Sequence, residues 1–271
     1  MSKRKVFWRM IMLLLLFLVL TQGSIIVGGF TVLIHDDIPS DTSREAFIEH
    51  ILQSSSMKWT MIIGYALTIA VFIHKRYVKV SLGRLARMDR NTLWTAAGMA
   101  AVISLGWLFT EISLLELVDV ESLFPEDSEK LDIIYGALGE GVLGFLAGVI
   151  MAPIAEEIAF RGVLLRGLLR MRWHPWVAIV VSALVFALFH GTELQMFGTT
   201  IFAIIVGWLY WQTKSLLPGM IMHIINNFIA FGFDYLFPVE CDSKPSAIVW
   251  IIVLAISIPL LMCGINWYKK H

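Results

Sequence analysis

From Met10 to Ile34 the chain reads MIMLLLLFLVLTQGSIIVGGFTVLI, without one charged side chain. About 20 apolar residues in a helix cross the hydrocarbon core of a bilayer. In lipid, backbone N–H and C=O groups can be satisfied only inside a helix or a closed barrel. Comparable apolar segments recur at about 58–74, 92–115, 142–168, 175–194, 197–212, 216–237 and 247–267. With 58% hydrophobic and 15% charged residues and a mean hydropathy of +0.78, the chain carries less charge than the quarter usual in soluble domains. The fold class expected is all-α, a polytopic membrane protein with about eight transmembrane helices.

The first residues, SKRKVFWRMIMLLLL, look like a signal peptide. The apolar run is too long for an ordinary signal core, so an uncleaved anchor is the better reading. Basic and acidic residues balance at 21 each, and no nucleic-acid partner is indicated by charge. The two cysteines, Cys241 in a polar loop and Cys263 in an apolar run, suggest neither a disulfide framework nor a CxxC metal site.

The connecting segments differ in charge. Residues 35–57 and 116–132 are acidic, whereas 74–90 (HKRYVKVSLGRLARMDR) is strongly basic. With the N-terminus inside and eight spans alternating, only Arg44, Lys58, Lys130 and Lys244 of the basic residues fall outside. The positive-inside rule then gives an N-in, C-in topology. Residues 133–146, rich in glycine, read either as a surface helix or as the first half of a long span. Pro153 is expected to bend that span, because it lacks an N–H and crowds the preceding turn. No internal repeat or long linker appears. The chain reads as one membrane domain: residues 1–132 form an N-terminal region of about three spans without a motif, and 133–271 a core with a C-terminal span.

A few polar residues sit at depth: Glu156, Glu157, Arg161, His190, His223 and Asn227, with Glu111, Glu140 and Asp234 as weaker additions. Each ionisable group there costs roughly 2.5–3.5 kcal/mol even on the gentler insertion scales, so such groups usually face a cavity and serve a function. Arg170 to Pro175 is the polar tip of a helical hairpin. Glu156 and His190 each stand 17 residues from Trp173, or ~25 Å along two helices, and are expected at one level.

Glu157 and Arg161 are i and i+4 and share a helix face; the guanidinium can neutralise that carboxylate. Glu156, about 100° round the helix, has no sequence-local cation. Of two neighbouring carboxylates in a poorly solvated site, one has raised proton affinity. Such a glutamate is suited to take a proton from water. His223 and Asn227 are also i and i+4, and Phe186 is expected to pack beneath His190.

Each residue has a plainer explanation. A membrane histidine or asparagine commonly bonds helix to helix, and Glu157–Arg161 alone could be a structural ion pair. Glu111 and Asp234 are expected to snorkel, Glu140 to meet water, His174 to be a solvated tip residue, and Trp107, Trp208 and Trp211 to form belts or packing. The conjunction of glutamate, two histidines and asparagine on three helices is what structure alone seldom requires.

Glu156-Glu157-x-x-x-Arg161, then Phe186-x-x-x-His190, then His223-x-x-x-Asn227 resemble the three ordered motifs of the CPBP intramembrane proteases. That family includes the type II CAAX prenyl proteases and bacterial proteins linked to bacteriocin processing or self-immunity. The resemblance covers roughly residues 140–237. It implies an eight-helix fold with a cavity open to the cytoplasmic side, and an endopeptidase acting on a peptide or membrane-associated protein. By the same resemblance Glu156 activates water, His190 positions it, His223 and Asn227 stabilise the oxyanion, and Glu157 and Arg161 shape the site. No serine or cysteine stands at a matching nucleophile position.

There is no HExxH motif, although Glu156, His190 and His223 could hold a zinc with water as fourth ligand. The metal-free reading is preferred. Two other functions compete: a non-enzymatic immunity or partner-binding membrane protein with a degenerate site, and a proton-coupled transporter. A multi-pass protein of a prokaryotic plasma membrane is the expected setting. CAAX specificity is not assigned.

Overall fold

The structure is a computed structural model and describes residues 2–39, 41–74, 83–232 and 245–270. Lys75, Arg76, Lys79, Asp234, Cys241 and Lys244, together with the end of the expected seventh span, lie outside the described residues. Among the described residues every regular element is helical. Ten helices matter here. They are α1 (Lys3–His35), α2 (Arg44–Gln53), α3 (Ser55–His74), α4 (Arg90–Val118), α5 (Pro125–Gly139), α6 (Gly141–Arg170), α7 (Pro175–Ala187), α8 (Glu193–Thr213), α9 (Leu217–Phe231) and α10 (Ala247–Lys270).

By length and composition, six of these can cross a membrane: α1, α3, α4, α6, α8 and α10. The other two expected spans are apolar but shorter; α7 has 13 residues. Its rise is ~20 Å, against a hydrocarbon core of ~30 Å. Expecting α7 to run to residue 194 was wrong. The helix ends at Ala187, and Phe189 and His190 close tight turns by bonding back to Phe186 and Ala187. Thr192 then caps α8, its hydroxyl accepting the N–H of Gln195 at 3.1 Å. Asp127 accepts the N–H groups of Glu193 and Leu194 at the same helix start.

The chain divides into two compact units. Of the described residues, the first takes 2–74, 130–174 and 227–232, and the second takes 83–129, 175–226 and 245–270.

In the first unit α1 lies against both α3 and the second half of α6. Gly28 faces Met57 and Thr60, Gly64 faces Ser24, Met10 faces Gly167, and Phe17 meets Phe160 edge-to-face at 5.6 Å. Both pairings are antiparallel. The ambiguous segment 133–146 is two elements: α5 ends at Gly139, and α6 starts at Gly141 with φ 74°. That left-handed value needs glycine. Lys58, read as lying toward the outer side, is buried in α3, and its Nζ donates to the Glu140 carbonyl at 2.8 Å. The lysine thus holds the elbow between α5 and α6.

Two stretches of α6, Phe145–Met151 and Ile158–Leu165, are π-helical. Pro153 stands just beyond the first. Where a bend is expected at this proline, the structure has a π-helical turn, one of the usual ways a helix absorbs a missing N–H.

In the second unit α4 and α10 pack antiparallel. Gly106 admits the backbone of Leu261, Gly264 admits Ile103, Thr110 bonds Ser257 at 2.8 Å, and Tyr268 donates to the Ala96 carbonyl at 2.6 Å. Asp89 caps α4: it accepts the hydroxyl and N–H of Thr92 and the N–H of Asn91, which hold its carboxyl below the ordinary range. Replacing Gly106 by Ala places a Cβ 2.5 Å from the Leu261 nitrogen. Backbone cannot swing aside as a side chain can, so the helices must separate. We expect a loss of about 1–3 kcal/mol, measurable as a lower unfolding midpoint in detergent.

Candidate active site

The six motif residues divide between the units. Glu156, Glu157, Arg161 and Asn227 belong to the first, His190 and His223 to the second.

In the first unit Glu157 and Arg161 form the expected ion pair, Arg161 to Glu157 Oε1 at 2.8 Å, with side chains 1% and 0% exposed. Taking two charges out of water costs several kcal/mol each, and close pairing offsets that cost. Glu156, one residue earlier, is only half-buried. Its expected lack of a cation needs correcting. Arg161 attracts both carboxylates, Glu157 more strongly than Glu156. The π-helical turn that begins at Ile158 contains Arg161, and the side chain still reaches back to both acids. The first unit also brings in Tyr65 of α3, buried and within electrostatic reach of Glu156. Tyr65 went unnoticed in the sequence because it lies in the motif-free first half. Its one signal was a hydroxyl inside the apolar stretch IIGYALT.

Asn227 donates from Nδ2 to the Gly148 carbonyl at 2.9 Å. The reason lies in α6. In a π-helical register the carbonyl of residue 148 would accept from the N–H of residue 153, but residue 153 is proline. Asn227 supplies the donor that Pro153 lacks. One N–H of the amide group is thereby committed to the backbone, and a second remains beyond that bond. Substituting Leu for Asn227 leaves the Gly148 carbonyl without this partner. A loss of about 1–3 kcal/mol is expected, read as reduced thermal stability of the purified protein.

In the second unit one phenyl ring organises both histidines. Phe186 meets His190 at 4.7 Å and His223 at 5.7 Å between ring centroids, both edge-to-face, and Phe202 meets His223 at 5.3 Å. The packing expected of Phe186 under His190 is present. His190 Nδ1 lies 3.1 Å from the Phe186 carbonyl. A carbonyl only accepts, so Nδ1 carries a proton and donates to it; Nε2 is an acceptor when the ring is neutral. The Phe186 carbonyl, at the end of α7, accepts the N–H of Phe189 in a tight turn, and the imidazole uses the same oxygen's second lone pair. His223 is buried, and Ser104 donates to the Met222 carbonyl at 3.0 Å beside it. Among the described residues, neither unit by itself groups three His, Cys, Asp or Glu side chains as metal ligands.

The weaker candidates separate. Glu111 does not snorkel: it lies inside α4, and its carboxylate rests against Gly198 of α8. Glu140 and His174 are exposed. Trp107 and Trp208 are buried as packing, and Trp211 lies 6.5 Å from Trp176 between ring centroids.

Residues 138–229 match the family described as type II CAAX prenyl endopeptidase Rce1-like. The match contains every motif position from Glu156 to Asn227. No curated protein and no solved structure matches the chain. Over that segment, about a third of its length, this multi-pass membrane chain is similar to the CPBP/CAAX proteases.

Proposed function

We propose that the chain is an intramembrane endopeptidase in which Glu156 activates the hydrolytic water. The observation that carries this reading is the contrast between two adjacent carboxylates. Glu157 is sealed and tied to Arg161, whereas Glu156 is half-open and shares the same cation more weakly. One acid is built to hold geometry, and the other is left to exchange a proton.

In this mechanism Glu156 takes a proton from water as the oxygen bonds to the scissile carbonyl carbon. The proton then goes to the leaving amine as the C–N bond breaks. His190 orients the water. His223 and the second N–H of Asn227 donate to the oxyanion, and donors so placed typically contribute ~2.7–4 kcal/mol each. The residue types also fit a zinc ion: Glu156, His190 and His223 would be its ligands, and it would acidify the bound water. Metal analysis of the purified protein decides between the two, and no step above depends on the ion.

The two short apolar helices would complete eight spans, with N- and C-termini inside, a cavity open to the cytoplasm, and a prokaryotic plasma membrane as the setting. Arg4→Cys and Arg172→Cys should then be labelled from the same side; opposite sides would overturn this topology. The substrate is a peptide or a membrane-associated protein. Comparative peptidomics of cells carrying wild type or Glu156→Gln should show fragments that vanish in the variant at equal protein abundance. Identical peptide profiles, with any protective or binding activity intact, would favour the non-enzymatic immunity or partner-binding reading.

A further inference from the structure

We propose that the first unit holds an anionic membrane phospholipid, with its phosphate at a cluster of arginines where the start of α1 meets the end of α6. A 33-residue helix rises ~50 Å, whereas bilayer and headgroups together span ~40–45 Å. The first turns of α1 therefore extend into the headgroup layer. They carry Arg4, Lys5 and Arg9, with Trp8 exposed among them. Antiparallel packing of Met10 on Gly167 brings the last turns of α6, with Arg166 and Arg170, to the same end of α1.

Two clefts meet there and share Arg9 and Leu13. The smaller, about 30 Å³, lies between Arg9, Arg166 and Arg170 over a floor that includes Val6, Met10 and Val163. That volume admits about two water-sized atoms, so it suits phosphate oxygens and excludes a whole headgroup. The larger, about 530 Å³, runs along α1 past Arg4, Lys5, Trp8 and Met12. Further along α1, at helical spacing from Met12, stand Leu15 and Val19, both exposed, an apolar track that suits an acyl chain.

Guanidinium groups pair with phosphate through parallel N–H bonds, and basic pockets between membrane helices bind anionic headgroups. A free phosphate would use only the cationic rim. The apolar floor selects the lipid.

The test is native mass spectrometry of the full chain, titrated in detergent with phosphatidylglycerol, phosphatidylcholine or inorganic phosphate. Phosphatidylglycerol should bind at least about tenfold more tightly than the other two. In Arg9→Gln/Arg166→Gln/Arg170→Gln that affinity should fall at least about tenfold. Removing the same charge elsewhere, in Arg84→Gln/Arg87→Gln/Lys269→Gln, should change it less than about twofold. Equal losses in both triple variants, or equal binding of inorganic phosphate or phosphatidylcholine, would overturn the proposal. Should the first triple variant not fold, Arg166→Gln alone should weaken binding about threefold, and unchanged affinity there counts against the site.

Discussion

Exchanging Arg161 for Met is expected to lower the unfolding free energy by about 3–5 kcal/mol. The cost comes from what remains. Glu157 is fully buried and would be left as an uncompensated acid in a low-dielectric setting with its 2.8 Å partner removed. Methionine fills most of the volume, so loss of packing is a minor part of the change. The companion variant Glu157→Leu/Arg161→Met should recover most of that stability, because removing both members of a buried pair abolishes the desolvation cost along with the attraction. Activity should not return in the double variant. Glu156 also faces Arg161, and without that cation its carboxylate loses the charge that holds it ready for a proton. Chemical unfolding in detergent, with peptide cleavage measured in parallel, separates the two effects. Equal stability of Arg161→Met and wild type would contradict a structural role for the pair.

Replacing Glu156 by Gln is expected to act in the opposite manner, with large effect on rate and little on stability. A positioned general base typically contributes 10²–10⁴-fold, and glutamine is nearly isosteric but cannot take the proton. The side chain is half-buried and is not the principal partner of Arg161, so the variant should unfold within about 0.5 kcal/mol of wild type. Turnover should fall by about a thousandfold.

The apolar segments themselves were legible, because a bilayer demands uninterrupted hydrophobicity over a fixed length. The described helices α1, α3, α4, α6, α8 and α10 coincide with six expected spans. The local i, i+4 pairing of Glu157 with Arg161 was equally readable, since it depends only on helix geometry.

The end of α7 was less visible. Its signal was present in Gly191, Thr192 and Gln195, the breaker and capping box that start α8, but the greasy FALF ahead of His190 masked it. The π-helical turns of α6 have no sequence period of their own. The tie from Asn227 to Gly148 follows from those turns and from Pro153, so it could not be read before the register was known. Tyr65 illustrates the remaining gap: its reach to Glu156 depends on tertiary packing between α3 and α6, and no local pattern encodes that.

The most direct test of the central claim is the rate at which purified protein in proteoliposomes cleaves a substrate found by peptidomics, compared between wild type and Glu156→Gln at equal loading. The account predicts product from wild type and less than about 1% of that rate from the variant, with unchanged thermal unfolding. A Glu156→Gln protein that cleaves at a rate close to wild type would contradict it.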